Sequence, residues 1–340
     1  MPFFSPFALK SSLPLSQSGA LLVATHRKAI AKSLEGKDSR LVVVLGPCSL
    51  HHNDSAIAYA KNIYALQKKV EDTCLLVMRA HVEKPRTYLG WKGLLHDPDL
   101  KGEENLAKGI VVSRRLLRDL VLEGVPLACE FLDPLASCYF TDLISWGFIG
   151  ARTSSSQTHR QLASSLLMPI GFKNSTDGSW ESALLGALVA NHTHSFLHIN
   201  EEGLLTQVAS RGNPCTHLVL RGSDAQPNYD EKTIREVLKA SEKQGLSKRI
   251  LIDCSHGNSQ YDPLRQIEVF HSVLSQYAGN KTKILGMMLE SHIEGGKQPF
   301  SPLNNDPYIS ITDSCLDWHT TEELVLTAHA ILSNTALVHC

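Results

Sequence analysis

The strongest constraint in this chain is a rhythm. Short apolar runs recur at 41–45, 74–78, 125–130, 148–152, 170–173, 216–220, 249–253 and 284–289. Each run is nearly continuous rather than alternating. That pattern predicts strands buried on both faces, hence a parallel sheet covered by helices. Helical patterns lie between the runs at 55–70, 104–122, 157–167, 180–191, 230–244 and 262–278, and another at 321–333 closes the chain. The first carries Ile57, Ala60, Ile63, Tyr64 and Leu66 at three-to-four spacing, and Asp54, Ser179 and Asp230 stand at helix starts as capping residues. One segment breaks the rhythm. Residues 195–199, then Glu201-Glu202-Gly203, then 204–209 read as a β-hairpin, taken as an insertion over 194–213. Setting it aside leaves eight strand–helix units, the count of a (β/α)8 TIM barrel. A doubly wound open sheet is the alternative. Residues 1–35, rich in Pro and Ser, are expected to form an arm outside a single barrel domain over 36–340.

Charge narrows the function classes. Lys+Arg is 33 and Asp+Glu is 34, a net charge of -1, which argues against nucleic-acid coating and against a polybasic membrane surface. No apolar run approaches the ~18–20 residues of a membrane helix. The eight cysteines are scattered without a C-x-x-C pair, and several fall inside predicted strands as small hydrophobes. The N-terminal stretch is interrupted by Pro2, Pro6 and Pro14 and lacks a signal-peptide core. A reducing cytoplasm is the expected location.

The functional signal is positional. Barrel active sites form at the C-terminal ends of the strands. Those ends read Cys48, Arg79, Glu130, Arg152, Lys173, Arg221, His256 and Glu290, with Asp313 after the last strand. Cys48, His256, Glu290 and Asp313 are metal-ligand types, a mixed thiolate, imidazole and carboxylate set suited to Mn, Fe, Co or Zn. Arg79, Lys84, Arg86, Lys92, Arg152, Lys173 and Arg221 form a concentration of cations suited to phosphate and carboxylate groups. The structural alternative is that these cations neutralise Glu83, Glu130 or Asp133. In Glu83-Lys84-Pro85-Arg86-Thr87 the proline stiffens the backbone that carries Lys84 and Arg86, and Thr87 adds a hydroxyl.

These motifs together resemble the class I, aromatic-amino-acid-regulated 3-deoxy-D-arabino-heptulosonate 7-phosphate (DAHP) synthases of microbes. The matching blocks are GPCS at 46–49, EKPRT at 83–87, GWKGLLHDPDL at 90–100, EFLDP at 130–134 and SWGFIGARTSSSQTHRQLAS at 145–164. GFKNSTDG at 171–178, LRG at 220–222, PNY at 227–229, IDCSHGNS at 252–259, MMLESH at 287–292 and SITDSC at 310–315 follow in the same order. The resemblance implies a (β/α)8 barrel with an N-terminal arm and an inserted hairpin. It implies condensation of phosphoenolpyruvate with erythrose 4-phosphate, the entry step of the shikimate pathway to aromatic amino acids. By resemblance, one divalent ion is held by Cys48, His256, Glu290 and Asp313. Phosphoenolpyruvate meets Arg79, Lys84, Arg152, Lys173 and Arg221. Arg86 and Thr87 hold the phosphate of erythrose 4-phosphate. Glu130 lies near the attacking water, and Lys84 is the candidate proton donor to the aldehyde. Lys92, in the GWKG block, is counted with the substrate-binding cations. A homodimer or homotetramer is implied as well.

The chain also departs from the family pattern. Arg79-Ala80-His81-Val82 lacks the aromatic pair common before EKPRT, and His81 either faces the pocket or packs behind it, with packing the expectation. Cys129 and Ser175 stand where Gly is usual, and Gly257 where Ala is usual. In the family an aromatic amino acid effector binds near the turn after EFLD, the helix after GART and the hairpin. Here that turn reads Pro134-Leu135-Ala136-Ser137-Cys138, and Leu167 replaces a small polar residue, so altered or weak feedback inhibition is expected. Two rivals stand against this reading: a 3-deoxy-manno-octulosonate 8-phosphate synthase acting on arabinose 5-phosphate, against which the KPRT motif, the hairpin and the arm speak, and a catalytically silent barrel, against which the full set of metal-ligand types and phosphate-binding cations speaks.

Overall fold

The computed structural model describes residues 3–86, 89–279, 284–302 and 304–338. Two helices come first, α1 (Pro6–Ser12) and α2 (Gln17–Leu34), then β1 (Leu41–Gly46), α3 (Asn53–Val70), β2 (Cys74–Arg79), α4 (Leu106–Leu122), β3 (Leu127–Glu130) and β4 (Trp146–Ile149). After these come α5 (Gln157–Ser165), β5 (Ile170–Lys173), α6 (Glu181–Ala190), β6 (Ser195–Ile199) and β7 (Leu205–Ala209). The chain continues through β8 (Thr216–Leu220), α7 (Glu231–Lys243), β9 (Ile250–Asp253), α8 (Arg265–Gly279), β10 (Ile284–Glu290) and α9 (Trp318–Val338).

Eight of these strands close into a parallel barrel in the order β1-β10-β9-β8-β5-β4-β3-β2, while β6 and β7 pair only with each other, antiparallel. Closure is visible at β1, which pairs with β2 through Leu45↔Met78 and with β10 through Gly46↔Glu290. A doubly wound open sheet would leave that edge unpaired, so this alternative is excluded. Two strands differ from the sequence expectation by more than one residue. β3 begins at Leu127, just after Pro126, whose missing N–H cannot donate to a ladder. β4 begins at Trp146 and ends before Gly150, so Arg152 sits on the following loop rather than on the strand.

The N-terminal residues form helices packed on the barrel. The Pro and Ser residues that suggest an irregular arm are helix starts. The Ser5 side chain caps α1 with Pro6 as its first residue, and the Ser16 hydroxyl accepts from Gly19 N–H at 3.1 Å. Ile30 and Leu34 of α2 pack against Val42, Val44, Val77, Trp146 and Phe148, covering the end of the barrel where the strands begin. Burying Ile30 alone is worth about 2–3 kcal/mol. α1 meets the hairpin, where Phe7 N–H donates to Glu201 carbonyl at 2.8 Å and Lys10 pairs with Glu201 at 2.6 Å. Among the described residues no helix is long and apolar enough to cross a membrane.

Candidate active site

At the C-terminal ends of the strands lies a cavity of about 510 Å³. It is lined by Arg79, His81, Lys84, Arg86, Glu130, Arg152, Lys173, Arg221, His256, Tyr261 and Asp313, with others. The register explains the convergence. Alternate residues at each strand end point inward, so separate strands deliver Arg79, Glu130 and Lys173 to one place. Two glycines make room for them. At Gly46, φ is +156° and a Cβ would sit 2.6 Å from the Arg79 carbonyl. At Gly150 a Cβ would fall 2.1 Å from Glu130 Oε1.

Of the metal-ligand types, His256 and Asp313 line this cavity, while Cys48 and Glu290 are buried next to it. Donor atoms of Cys48, Glu290 and Asp313 all lie within 4.8 Å of one another. His256, held at φ +54°, brings Nε2 to 3.5 Å from Glu290 Oε1. Its Nδ1 is engaged by Asp253 Oδ2 at 3.1 Å and by the Ser255 hydroxyl at 2.7 Å. Such a partner fixes the ring and leaves Nε2 facing the donor set. Lys84 Nζ lies 2.9 Å from Cys48 Sγ and 2.7 Å from Asp313 Oδ2. A cation is thus already attracted to two of the donors, and the thiol, imidazole and carboxylate chemistry fits a first-row divalent ion.

The electrostatics follow from this crowding. Burial, with the Glu290 charge beside it, pushes the Cys48 thiol up to about 11. Burial works to raise the Asp313 pKa too, but the Lys84 ammonium overrides it and holds the carboxyl well below the usual range. For Lys84 burial opposes the charge, yet Cys48 and Asp313 keep its pKa above that of an ordinary lysine.

The cations divide into two groups. Arg79 pairs with Glu290 at 2.8 Å and Lys173 with Asp253 at 2.8 Å, both pairs buried. Arg221 is also buried but makes no ion pair among the described residues. Its guanidinium donates to Tyr261 Oη at 3.1 Å, and that hydroxyl donates to Asp224 at 2.6 Å. Arg86 Nε donates to the Trp91 carbonyl at 2.8 Å. Glu83, Glu130 and Asp133 are not the partners that the structural alternative requires. Glu83 faces His96 at 3.6 Å, and among the described residues neither Glu130 nor Asp133 forms an ion pair. A buried cation with no acid paired to it, as at Arg221, is what an anionic ligand would complete.

A model of the DAHP synthetase I family matches residues 20–326. The chain belongs to the DAHP synthetase I family. It is 43% identical over 331 residues to the Tyr-sensitive phospho-2-dehydro-3-deoxyheptonate aldolase of Escherichia coli (strain K12), covering 97% of this chain and 93% of that protein. It is 40% identical over 329 residues to the phospho-2-dehydro-3-deoxyheptonate aldolase of Corynebacterium glutamicum, covering 94% and 89%. The solved phospho-2-dehydro-3-deoxyheptonate aldolase of Francisella tularensis SCHU S4 superposes with a TM-score of 0.95 at 37% identity, covering 98% of this chain and 97% of that one.

Within this DAHP synthetase I site, several positions differ from the sequence expectation. Lys92 does not line the cavity; it is half-exposed and pairs with Glu104 at 2.6 Å. Thr87 lies outside the described residues. His81 lines the cavity rather than packing behind it. Asp253 and Tyr261 escape the sequence reading altogether. Asp253 ends β9 three residues before His256, and that spacing was a usable signal. Tyr261 has φ +61° on the loop after β9, where no periodic pattern marks it.

Proposed function

We propose that this chain condenses phosphoenolpyruvate with D-erythrose 4-phosphate and water, giving DAHP and phosphate, the first step of the shikimate pathway. The observation that carries this reading is a single cavity where buried cations and a thiol–imidazole–carboxylate donor set meet. Arg79, Lys173, Arg152 and Arg221 would hold the carboxylate and phosphate of phosphoenolpyruvate, with Lys84 between the two substrates. Arg86 and Thr87 would hold the phosphate of the aldehyde. When bound by Cys48, His256, Glu290 and Asp313, a divalent ion would supply Lewis-acid polarisation of the aldehyde oxygen.

The residues then perform positioning and proton transfer. The cation ring fixes the two anions so that C3 of phosphoenolpyruvate faces the aldehyde carbon. Lys84 gives a proton to the aldehyde oxygen as the C–C bond forms. Water adds at C2, beside Glu130, and the C2–O bond to phosphate breaks. Preset positive charge offsets the charge that develops on the departing group.

The test is consumption of phosphoenolpyruvate by metal-loaded protein, offered erythrose 4-phosphate or arabinose 5-phosphate, each with and without EDTA. Chelator-sensitive consumption with erythrose 4-phosphate alone is expected. Turnover of arabinose 5-phosphate would favour the eight-carbon synthase, and none with either the silent barrel.

The same reading extends to control, location and assembly. Relatives include proteins named Tyr-sensitive and Phe-sensitive. In this chain Cys138 Sγ sits 3.7 Å from His198 Nδ1 of the hairpin, and Leu167 is exposed. We infer that an aromatic amino acid effector acts weakly or in altered form. Strong inhibition by micromolar phenylalanine, tyrosine or tryptophan would overturn this. A cytoplasmic homodimer or homotetramer is the assembly we expect.

A further inference from the structure

We propose that His81 is a catalytic residue of this site, the group that accepts a proton from the water adding to C2 and passes it to the departing phosphate. The inference rests on the DAHP synthase reading and assigns one more side chain to it.

The geometry comes first. His81 follows β2 by two residues, so the strand's alternation turns its ring inward beside Arg79. The ring is 2% exposed and lines the cavity. Among the described residues its buried Nε2 has no hydrogen-bond partner. An imidazole that merely packs would leave this nitrogen unpaired at a cost of about 1–3 kcal/mol. A ligand or water held in the cavity removes that cost. The backbone presets the ring: Leu50 N–H donates to the His81 carbonyl at 2.8 Å, Ala80 N–H to the Ala128 carbonyl at 2.8 Å, and Leu95 N–H to the Val82 carbonyl at 3.0 Å. Little reorganisation is then needed in the reacting complex.

Charge supplies the second argument. Arg79 on its own strand, Lys173 of β5 and Lys84 on its own loop act on the ring, and the Asp253 carboxylate on β9 opposes them. Glu130 of β3, Arg152, Arg221 and His256 share the cavity. Burial and the three cations hold the imidazole neutral, well below the ordinary histidine pKa. A neutral imidazole is the protonation state that can accept a proton. Bound phosphoenolpyruvate would bring carboxylate and phosphate charges that offset those cations. The ring therefore becomes a stronger base only when the site is loaded.

The step balances. Once C3 has joined the aldehyde carbon, C2 is electrophilic. The water oxygen bonds to C2 and one of its protons goes to His81. The C2–O bond to phosphate then breaks, its electron pair leaving on the phosphate oxygen, which takes the proton from His81. As C2 becomes the ketone, the remaining water proton replaces the one that Lys84 gave to the aldehyde oxygen.

The experiment compares metal-loaded wild type with His81→Phe and His81→Asn. Turnover by wild type comes first: its absence would overturn the functional reading and this proposal with it, whereas with an active wild type the variants test His81 alone. In both variants kcat should fall at least about 100-fold. Phosphoenolpyruvate affinity by calorimetry, metal content and melting temperature should stay close to wild type. The acid limb of the kcat profile, expected at higher pH than that of kcat/KM in wild type, should vanish. The Asn variant keeps a polar group, so it serves if the Phe variant does not fold. A kcat within threefold of wild type would overturn the proposal, as would a loss confined to phosphoenolpyruvate affinity or an unchanged acid limb.

Discussion

The same strands carry two ends of opposite character. Before they reach their ends, Val42, Val44, Val77, Phe148, Val219 and Leu251 form an apolar cluster with Ile30 of α2. Where they finish, the interior is as deeply buried but holds Arg79, Lys173, Arg221, Asp253 and Glu290. Met288 marks the border. Its side chain belongs to the apolar cluster, while its Sδ lies 3.3 Å from Arg79 Nη1 and 3.7 Å from Lys173 Nζ. The contrast teaches a division of labour. Apolar burial at one end stabilises the barrel. Packed charge at the other end is costly to bury, and pairing such as Arg79 with Glu290 and Lys173 with Asp253 offsets that cost.

The sharpest way to break this comparison is Phe148→Ala at the apolar end. It should cost about 3–5 kcal/mol in urea denaturation, with kcat of the folded fraction changed only a few-fold. A loss below ~1 kcal/mol would mean that the apolar end does not carry the stability.

Lys84→Met at the charged end should do the reverse. Removing one preset charge should lower kcat about 10²–10³-fold. The melting temperature should fall less than in Phe148→Ala, because Asp313 is 39% exposed and water can replace its partner. Near-normal turnover would refute the proton-donor role.

A subtler probe is His217, a buried histidine near the apolar end. Trp146 Nε1–H donates to its Nε2 at 3.2 Å, and its Nδ1 lies 3.2 Å from the Cys215 carbonyl. The indole can only donate, so the imidazole is neutral with its proton on Nδ1. Burial pushes its pKa down to about 4, and His26 likewise. The unfolded chain, with histidine near 6.5, binds more protons than the folded one below that pH. Stability should therefore be fully present above pH ~6.5 and decline toward pH ~4, by up to about 3 kcal/mol from His217. Denaturation of His217→Gln across this range should show a shallower slope.

The smallest effect is expected at the surface. Lys10 and Glu201 join α1 to the hairpin in a partly exposed pair. A double-mutant cycle with Lys10→Met and Glu201→Gln should find no more than about 1 kcal/mol. A larger coupling would mean that α1 and the hairpin act as one unit with the barrel.

Much of the fold is legible locally. Continuous apolar runs announce the strands, and the EKPRT, EFLDP, SWGFIGARTSSSQTHRQLAS, GFKNSTDG, LRG, IDCSHGNS and SITDSC blocks together announce most of the cavity lining. The less legible parts have identifiable reasons. Pro and Ser near the N-terminus signal both irregular chain and helix starts, and only packing against Val42 and Val44 reveals which holds for α2. Lys92 shares a motif with cavity residues but points to Glu104, because neighbours along a loop need not share a direction. His81 stands two residues beyond Arg79, but β2 ends at Arg79, so the alternation alone does not tell a pocket residue from a packed one.

The sequence by itself determined the number and order of the strands, the hairpin that interrupts them, and the chemical types at the strand ends. Those depend on side-chain periodicity and on which residue follows each apolar run. Only the tertiary structure decided that the sheet closes and which buried cations are neutralised. Arg79 finds Glu290 across 211 positions, and Lys173 finds Asp253 across 80. Partners so far apart in the chain meet only when the barrel closes, and no local pattern encodes that encounter.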